Sequence, residues 1–330
     1  MAETNKTAIL VPGKLHAHAM ERIGANFDLL TIEKAAPELV TEEMAEKVRG
    51  MAAMTVVDAA FIDALPNLEI IANFGVGYDT VDAGHASRRD VMVTNTPDIL
   101  TEEVADTAVG LLLNTVREFP RAETWLRAGR WTREGGYPSS RGSLRGRTVG
   151  IFGMGRIGRA IAHRLVAFGL PIAYHNRRPL TDVPYAYHDT LVGLAAAVDT
   201  LICVAPGGAE THHAVNADVL KALGENGVFI NIGRGSTVDE AALITALEKG
   251  TIFAAGLDVF ENEPQVPEAL IALENVSLLP HVGSASVVTR QAMADLVVDN
   301  LISWFTQNRA ITPVPETVNV ERRSASSSMK

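Results

Sequence analysis

The chain has 330 residues, 47% of them hydrophobic, with 39 acidic against 29 basic side chains and a formal net charge of -10. That length suits about two domains with sizeable cores, while the negative field opposes general polyanion binding, so no nucleic-acid partner is expected and any phosphate site must be local. One cysteine, Cys203, excludes an intramolecular disulfide, and the start lacks the pattern of a signal peptide while no run reaches the ~20 apolar residues of a membrane span, which predicts a cytoplasmic protein without a membrane partner.

Short apolar bursts alternate with helix-period segments, the pattern of an α/β protein with parallel sheets. "TAILVPG" reads as a buried strand, "HAHAMERIGANF" as its helix, "AAMTVVD" as a strand start or loop, and "LEIIANFGVGYD" as a strand ending in a glycine turn. From Thr101, "TEEVADTAVGLLLNTVREFPRAETWLRAGRW" holds one long helical pattern, with Thr101 as cap and Val104, Ala108, Leu111 and Leu112 at helix spacing. A Gly, Ser and Arg-rich loop then leads into "RTVGIFG", and "PIAYHN", "TLICVAP", "GVFINIG", "IFAAGLDV" and "VSLLPHVG" are further strand candidates. The context "TLICVAP" makes Cys203 a buried packing thiol. A last amphipathic run, "VVTRQAMADLVVDNLISWFTQN", places Val288, Met293, Val297, Leu301 and Trp304 or Phe305 near one face. The closing "ERRSASSSMK" is expected to be a loose tail. The expected division is residues 1–97 with 287–330 as one domain and 98–286 as the other.

In "TVGIFGMGRIGRAIAHRL", Gly153, Gly155 and Gly158 form G-x-G-x-x-G between a strand and a helix-period run. Gly153 permits a tight turn, Gly155 lets backbone approach a pyrophosphate, and Gly158 lets helix and strand pack closely. The next strand should end near Asn176, where NAD-binding folds commonly carry an acid for the ribose hydroxyls. Here Asn176 is followed by Arg177 and Arg178. Guanidinium groups fork onto a 2′-phosphate that a carboxylate would repel, so the pattern predicts NADP(H), with NAD(H) possible; two solvated arginines are the alternative.

Later strand ends carry Arg234 in "NIGRGSTVDE", Asp258 and Glu263 in "AAGLDVFENEP", and His281 in "LLPHVGSAS". Reducing a ketoacid carbonyl needs a cation for the carboxylate, a proton donor for the developing alkoxide, and an anion that keeps the donor protonated. Arg234, His281 and Glu263 suit those roles. His16, His18, His85, His163 and His213 lie outside any motif and read as loop or surface residues. Hydride transfer with a histidine acid requires no zinc, and Cys203 has no ligand-spaced neighbours, so no metal is expected.

These motifs, with "NFGVGYDTVD", "TPDILTEEVADTAVGLLL" and "INIGRGSTVDEAALITAL", run in order along nearly the whole chain. The chain resembles the D-isomer-specific 2-hydroxyacid dehydrogenase family, most closely its NADP-dependent glyoxylate/hydroxypyruvate reductases. The resemblance implies two doubly wound parallel sheets, a Rossmann cofactor domain and a flavodoxin-like substrate domain. It implies His281 as proton donor, Glu263 as its charge partner, and Arg234 as binder of the substrate carboxylate. Val76 and Gly77 match the family loop that holds the carboxylate, and Asp258 an acid beside the cofactor. Met154, Arg156 and Ile157 match pyrophosphate positions; Ala205, Pro206, Thr211, Ile232 and Gly233 match further cofactor contacts, and Thr107 and Gly283 positions near the nicotinamide. His212 stands where the family often has a basic residue. Met54 reads either as pocket lining or as core, and Trp131 either as reaching a partner subunit's site or as interface packing.

The expected protein is an NADPH-preferring reductase of glyoxylate or hydroxypyruvate, a homodimer whose partner molecule is a small 2-ketoacid or 2-hydroxyacid. A hydroxyphenylpyruvate or other aromatic 2-ketoacid reductase is the nearest alternative. A dinucleotide-sensing protein of the corepressor kind, which keeps the same Arg, Glu and His set, is the alternative of another class.

Overall fold

Apolar runs without polar alternation form strands buried on both faces, as parallel sheets covered by helices require. The structure, a computed structural model, describes residues 6–322. The chain divides into two units, Met1–Leu100 with Ser286–Lys330, and Thr101–Ala285. The first unit opens with β1 (Ala8–Pro12), α1 (Ala17–Asn26), β2 (Asp28–Ile32), α2 (Glu42–Lys47), β3 (Val48–Ala53), α3 (Ala59–Asp63), β4 (Ile70–Asn73), α4 (Ala83–Arg88) and β5 (Met92–Thr94). The second holds α5 (Thr101–Arg117), α6 (Phe119–Arg127), α7 (Arg130–Glu134), β6 (Val149–Phe152), α8 (Arg156–Ala167), β7 (Ile172–His175), β8 (Ala186–Tyr187), α9 (Leu191–Ala197), β9 (Thr200–Cys203), α10 (Ala217–Leu223), β10 (Val228–Asn231), α11 (Glu240–Glu248), β11 (Ala254–Leu257), α12 (Glu268–Ala272) and β12 (Val276–Leu278). The chain then returns to the first unit as α13 (Val287–Gln307).

The first sheet is parallel, in the order β2-β1-β3-β4-β5, which is the flavodoxin-like order. Its core gathers Leu10, Met51, Phe61, Ile62, Ile71 and Val93. On the same unit α13 packs against α1 and β4, burying Met293, Val297, Leu301 and Trp304. Arg22 of α1 donates to Asp295 and Asp299 of α13, and His18 shares Asp295. Val288 departs from the expected face: it is 80% exposed, because it stands in the first turn of α13, ahead of the packed stretch.

The second sheet is the doubly wound dinucleotide-binding form, ordered β12-β11-β10-β9-β6-β7-β8 and parallel throughout. From β6 the chain runs outward to β7 and β8, and then crosses back to β9 on the other side of β6. This reversal opens a crevice at the carboxyl ends of β6 and β9, where such sheets take their ligands. In α8, Gly158, Ile161, Ala162 and Leu165 are buried at helical spacing, so one face carries the packing. Cys203 is fully buried, and burial pushes its thiol up, which leaves an inert packing group hydrogen-bonded to Thr237.

Three local expectations change. The long helical run from Thr101 is three helices, because Glu118 and Gly129 take left-handed φ of 56° and 66° and Pro120 stands in the first turn of the second helix. Met54 lies beyond the end of β3 and is 49% exposed, so it is not a core residue. The tail is anchored through Arg322, whose guanidinium donates to Glu69, Asn308 and the Phe305 carbonyl; residues 323–330 of the expected loose tail lie outside the described residues. Among the described residues no helix is long and apolar enough to cross a membrane.

Candidate active site

The glycine turn follows β6 directly. Gly153 has φ 103°, a conformation that disfavours any side chain, and a Cβ there would stand 2.8 Å from the Ala205 nitrogen after β9. Gly158 faces the Gly153 carbonyl so closely that a methyl would overlap it. Gly155, in contrast, has no described atom within 4 Å of its Cβ position. The first turn of α8 carries no side-chain cap at Gly155 and no acidic residue, so no capping or acidic side chain offsets the positive end of its dipole. These features fit a dinucleotide pyrophosphate, with Arg156 and Ile157 in the first turn. The Met154 side chain is buried, and its N–H donates to the Asn176 side-chain oxygen at 2.7 Å. Asn176 therefore ties the end of β7 to the glycine turn.

Arg177 and Arg178, just beyond Asn176, are both exposed. Arg177 pairs with Glu210 at 2.8 Å across two solvated side chains, a partner that its position in the sequence does not reveal. After β9, Ala205 is buried and Thr211 donates to the Pro206 carbonyl at 2.6 Å, closing that loop on itself.

Arg234 sits where β10 ends. The buried Asn231 side chain donates to the Arg234 carbonyl at 2.9 Å and accepts the Gly233 N–H at 3.1 Å, while Thr237 also donates to the Arg234 carbonyl. The backbone of this turn is thus fixed from three sides. Gly235 is buried, and a methyl on it would overlap the Phe260 carbonyl group.

That contact presses the Arg234 turn against the loop bearing Glu263. Glu263 accepts the Phe260 N–H at 3.0 Å through Oε1 and meets His281 Nδ1 at 2.7 Å through Oε2. Burial opposes ionisation of Glu263, but the hydrogen bonds of His281 and Phe260 and the charges of His281 and Arg234 outweigh it, holding the carboxyl below its usual range. An ionised carboxylate can only accept, so His281 Nδ1 carries the proton of this bond and Nε2 is directed away from Glu263.

His281 itself stands at φ 52°, a left-handed conformation that costs a non-glycine residue on the order of 1–2 kcal/mol. Asp258 compensates for it. This fully buried residue accepts the Val282 and Gly283 N–H groups at 2.7 and 2.8 Å with its two carboxylate oxygens, and the His281 N–H reaches its carbonyl at 2.8 Å. Burial raises the carboxyl of Asp258 against the pull of those N–H groups. Thr107 of α5 donates to the Gly283 carbonyl at 3.2 Å, and Ile232 packs near Gly283. The expected acid beside the cofactor is, in this geometry, the anchor of the histidine loop.

Arg234, Glu263, His281, Asp258 and the glycine turn all belong to the second unit. Met54, Val76 and Gly77 belong to the first. There the carbonyl of Val76 accepts from Asn95, and those of Gly75 and Gly77 accept from Asn73, which pins the glycine loop after β4. Trp131 of α7 is 61% exposed. A separate cavity of about 560 Å³ in the second unit is lined by Thr115, Arg121, Lys249, Phe253 and Glu274, and includes none of the acid-base residues.

His213, read as a loop or surface residue, stands in a polar group together with His212. His213 Nε2 lies 2.6 Å from Glu261, His212 stacks on His213 with ring centroids 4.0 Å apart, and the buried Glu240 accepts the Glu261 N–H at 2.9 Å. Their separation of 48 residues concealed this group from a reading by spacing.

The sequence signature of the D-isomer specific 2-hydroxyacid dehydrogenase NAD binding domain matches residues 109–283. Glyoxylate/hydroxypyruvate reductase A of Arabidopsis thaliana is 50% identical over 257 residues, which cover 78% of this chain and 82% of that protein. Hydroxyphenylpyruvate reductase of Plectranthus scutellarioides is 49% identical over the same shares of both chains. Among solved structures, the NADPH-dependent glyoxylate/hydroxypyruvate reductase of Sinorhizobium meliloti, in complex with NADP and malonate, superposes with a TM-score of 0.95 at 62% identity, over 97% of this chain and 99% of that one.

Proposed function

The chain belongs to the D-isomer-specific 2-hydroxyacid dehydrogenase family of NAD(P)-dependent oxidoreductases, and from that premise we propose that it reduces glyoxylate or hydroxypyruvate to the D-2-hydroxyacid with NADPH. The observation that carries the reading is the 2.7 Å bond between His281 and an ionised Glu263, on the unit that also bears Arg234 and the glycine turn.

Arg234 binds the ketoacid carboxylate and polarises the neighbouring carbonyl, a role suited to a fork of donors that never loses its charge. His281, protonated at Nε2, gives its proton to the carbonyl oxygen as negative charge develops there. NADPH, when bound, would supply the hydride for the carbonyl carbon. Glu263 stabilises the imidazolium before transfer, and the neutral imidazole left afterwards regains a proton from solvent. In the first unit, Val76, Gly77 and Met54 are assigned as substrate-binding residues. Phe119, Leu126 and Trp131, each more than 40% exposed on α6 and α7, supply an apolar arm for a homodimer.

Preference for NADPH rests on Arg177 and Arg178. Replacing both with Ala is expected to raise the NADPH dissociation constant on the order of 10- to 100-fold, since hydrogen bonds between charged groups are among the strongest single contacts, while NADH changes by about twofold or less. Fluorescence titration of both nucleotides reads this, and equal losses would contradict it. Because Glu210 competes with a phosphate for Arg177, Glu210→Gln should tighten NADPH by up to about fivefold, the modest scale of an exposed ion pair.

Substrate identity is tested by NADPH oxidation with a panel of 2-ketoacids. Glyoxylate or hydroxypyruvate should give the highest kcat/KM. A higher value with hydroxyphenylpyruvate would favour the aromatic reading suggested by the Plectranthus relative, and no turnover with any acid would leave a nucleotide sensor.

A further inference from the structure

We propose that His212, His213 and Glu261, none of them an acid-base residue of the reaction, form a binding site for a divalent metal ion of the zinc class. Their ligand atoms lie within 4.8 Å of one another. A tetrahedral zinc ion with bonds of about 2.0–2.1 Å separates its ligands by roughly 3.3 Å. The cluster therefore needs the His212 ring to rotate out of its stack and close on the ion, and a small opening of the 2.6 Å His213–Glu261 contact. His212 is the exposed member and can make that adjustment.

The other two are held by their backbones. The His213 N–H donates to the Ser236 carbonyl at 2.9 Å, and the Glu261 N–H donates to the Glu240 carboxylate at 2.9 Å. At φ 50°, His213 brings its ring alongside that of its sequence neighbour, with an interplanar angle of 25°; nearly parallel rings aim their nitrogens side by side, so the His212 ring must rotate out of the stack to point at a shared ion. Adjacent residues in extended backbone would place them on opposite sides.

The donor set decides the ion. Two imidazole nitrogens and one carboxylate suit Zn²⁺, Co²⁺, Ni²⁺ or Cu²⁺, whereas Mg²⁺ and Ca²⁺ prefer all-oxygen sites. Three protein ligands leave the remaining coordination to water. The chain's net charge of -10 adds a field that draws cations to such a surface site.

Untagged, chelator-treated protein is titrated with Zn²⁺ by calorimetry and with Co²⁺ by its visible absorption. One equivalent per chain is expected, with a dissociation constant in the micromolar range. His212→Ala and Glu261→Gln should each weaken it at least tenfold, while His163→Ala, outside the cluster, leaves it unchanged. Circular dichroism establishes that each variant is folded. No binding by the wild type below about 1 mM Zn²⁺ would overturn the assignment, as would unchanged affinity in the folded His212→Ala, Glu261→Gln double variant.

Discussion

Replacing His281 with Asn is expected to lower kcat on the order of 100- to 10,000-fold while the NADPH dissociation constant stays within about twofold. Asn is the informative substitution because His281 occupies left-handed backbone at φ 52°, which Asn tolerates better than Ala. The variant removes the acid and keeps the loop. If His281→Ala lost far more activity than His281→Asn, the excess would measure disturbance of the backbone. Single-turnover kinetics with saturating NADPH separate the chemical step from binding, and an unchanged chemical rate in the Asn variant would remove His281 as the proton donor. Glu263→Gln keeps a group of the same size beside Nδ1 but withdraws the negative charge, so its loss should be smaller and should likewise fall on kcat.

Gly235→Ala is the second large effect. Its new methyl would overlap the Phe260 carbonyl, a backbone group that cannot swing aside as a side-chain tip can. Overpacking of this kind costs on the order of 3 kcal/mol, so Tm should fall by roughly 6–12 °C for a unit of this size. Relief requires the Phe260 segment to retreat, and the Phe260 N–H that fixes Glu263 moves with it. Activity per folded molecule should therefore drop as well. Gly110→Ala is the matched control: Gly110 is exposed in α5 with no described atom near its Cβ position, and Ala there should stabilise by about 0.5–1 kcal/mol. Equal melting temperatures for wild type and Gly235→Ala, measured by calorimetry, would refute the contact.

The strands that build the second sheet were legible because their residues are buried on both faces, as in "TLIC" and "VFIN", where a continuous apolar run needs no alternation to be recognised. β2 and β8 were not. Each is an edge strand with exposed positions, and β8 has only two residues, too few to show a period. The break at Glu118 also escaped, since apolar periodicity persists through a left-handed residue that changes only the direction of the chain. At the site, Arg234, Glu263 and His281 were legible through the company each keeps in its own motif, 29 and 18 residues apart. The bonds that support them were not legible, even where a residue such as Asp258 was singled out. Asn231, Thr237 and Asp258 act by side-chain bonds to backbone a turn or a strand away, and Glu210 opposite Arg177 is a surface partner 33 residues distant.

Asp258 holds the loop that presents the imidazole through main-chain groups, so this anchoring does not use the side chain the loop displays. Silencing the chemistry and dismantling the scaffold are consequently different operations. A crystal of the Asn variant, soaked with reduced nucleotide and ketoacid together, should retain both unreacted and so capture the encounter that turnover ordinarily erases.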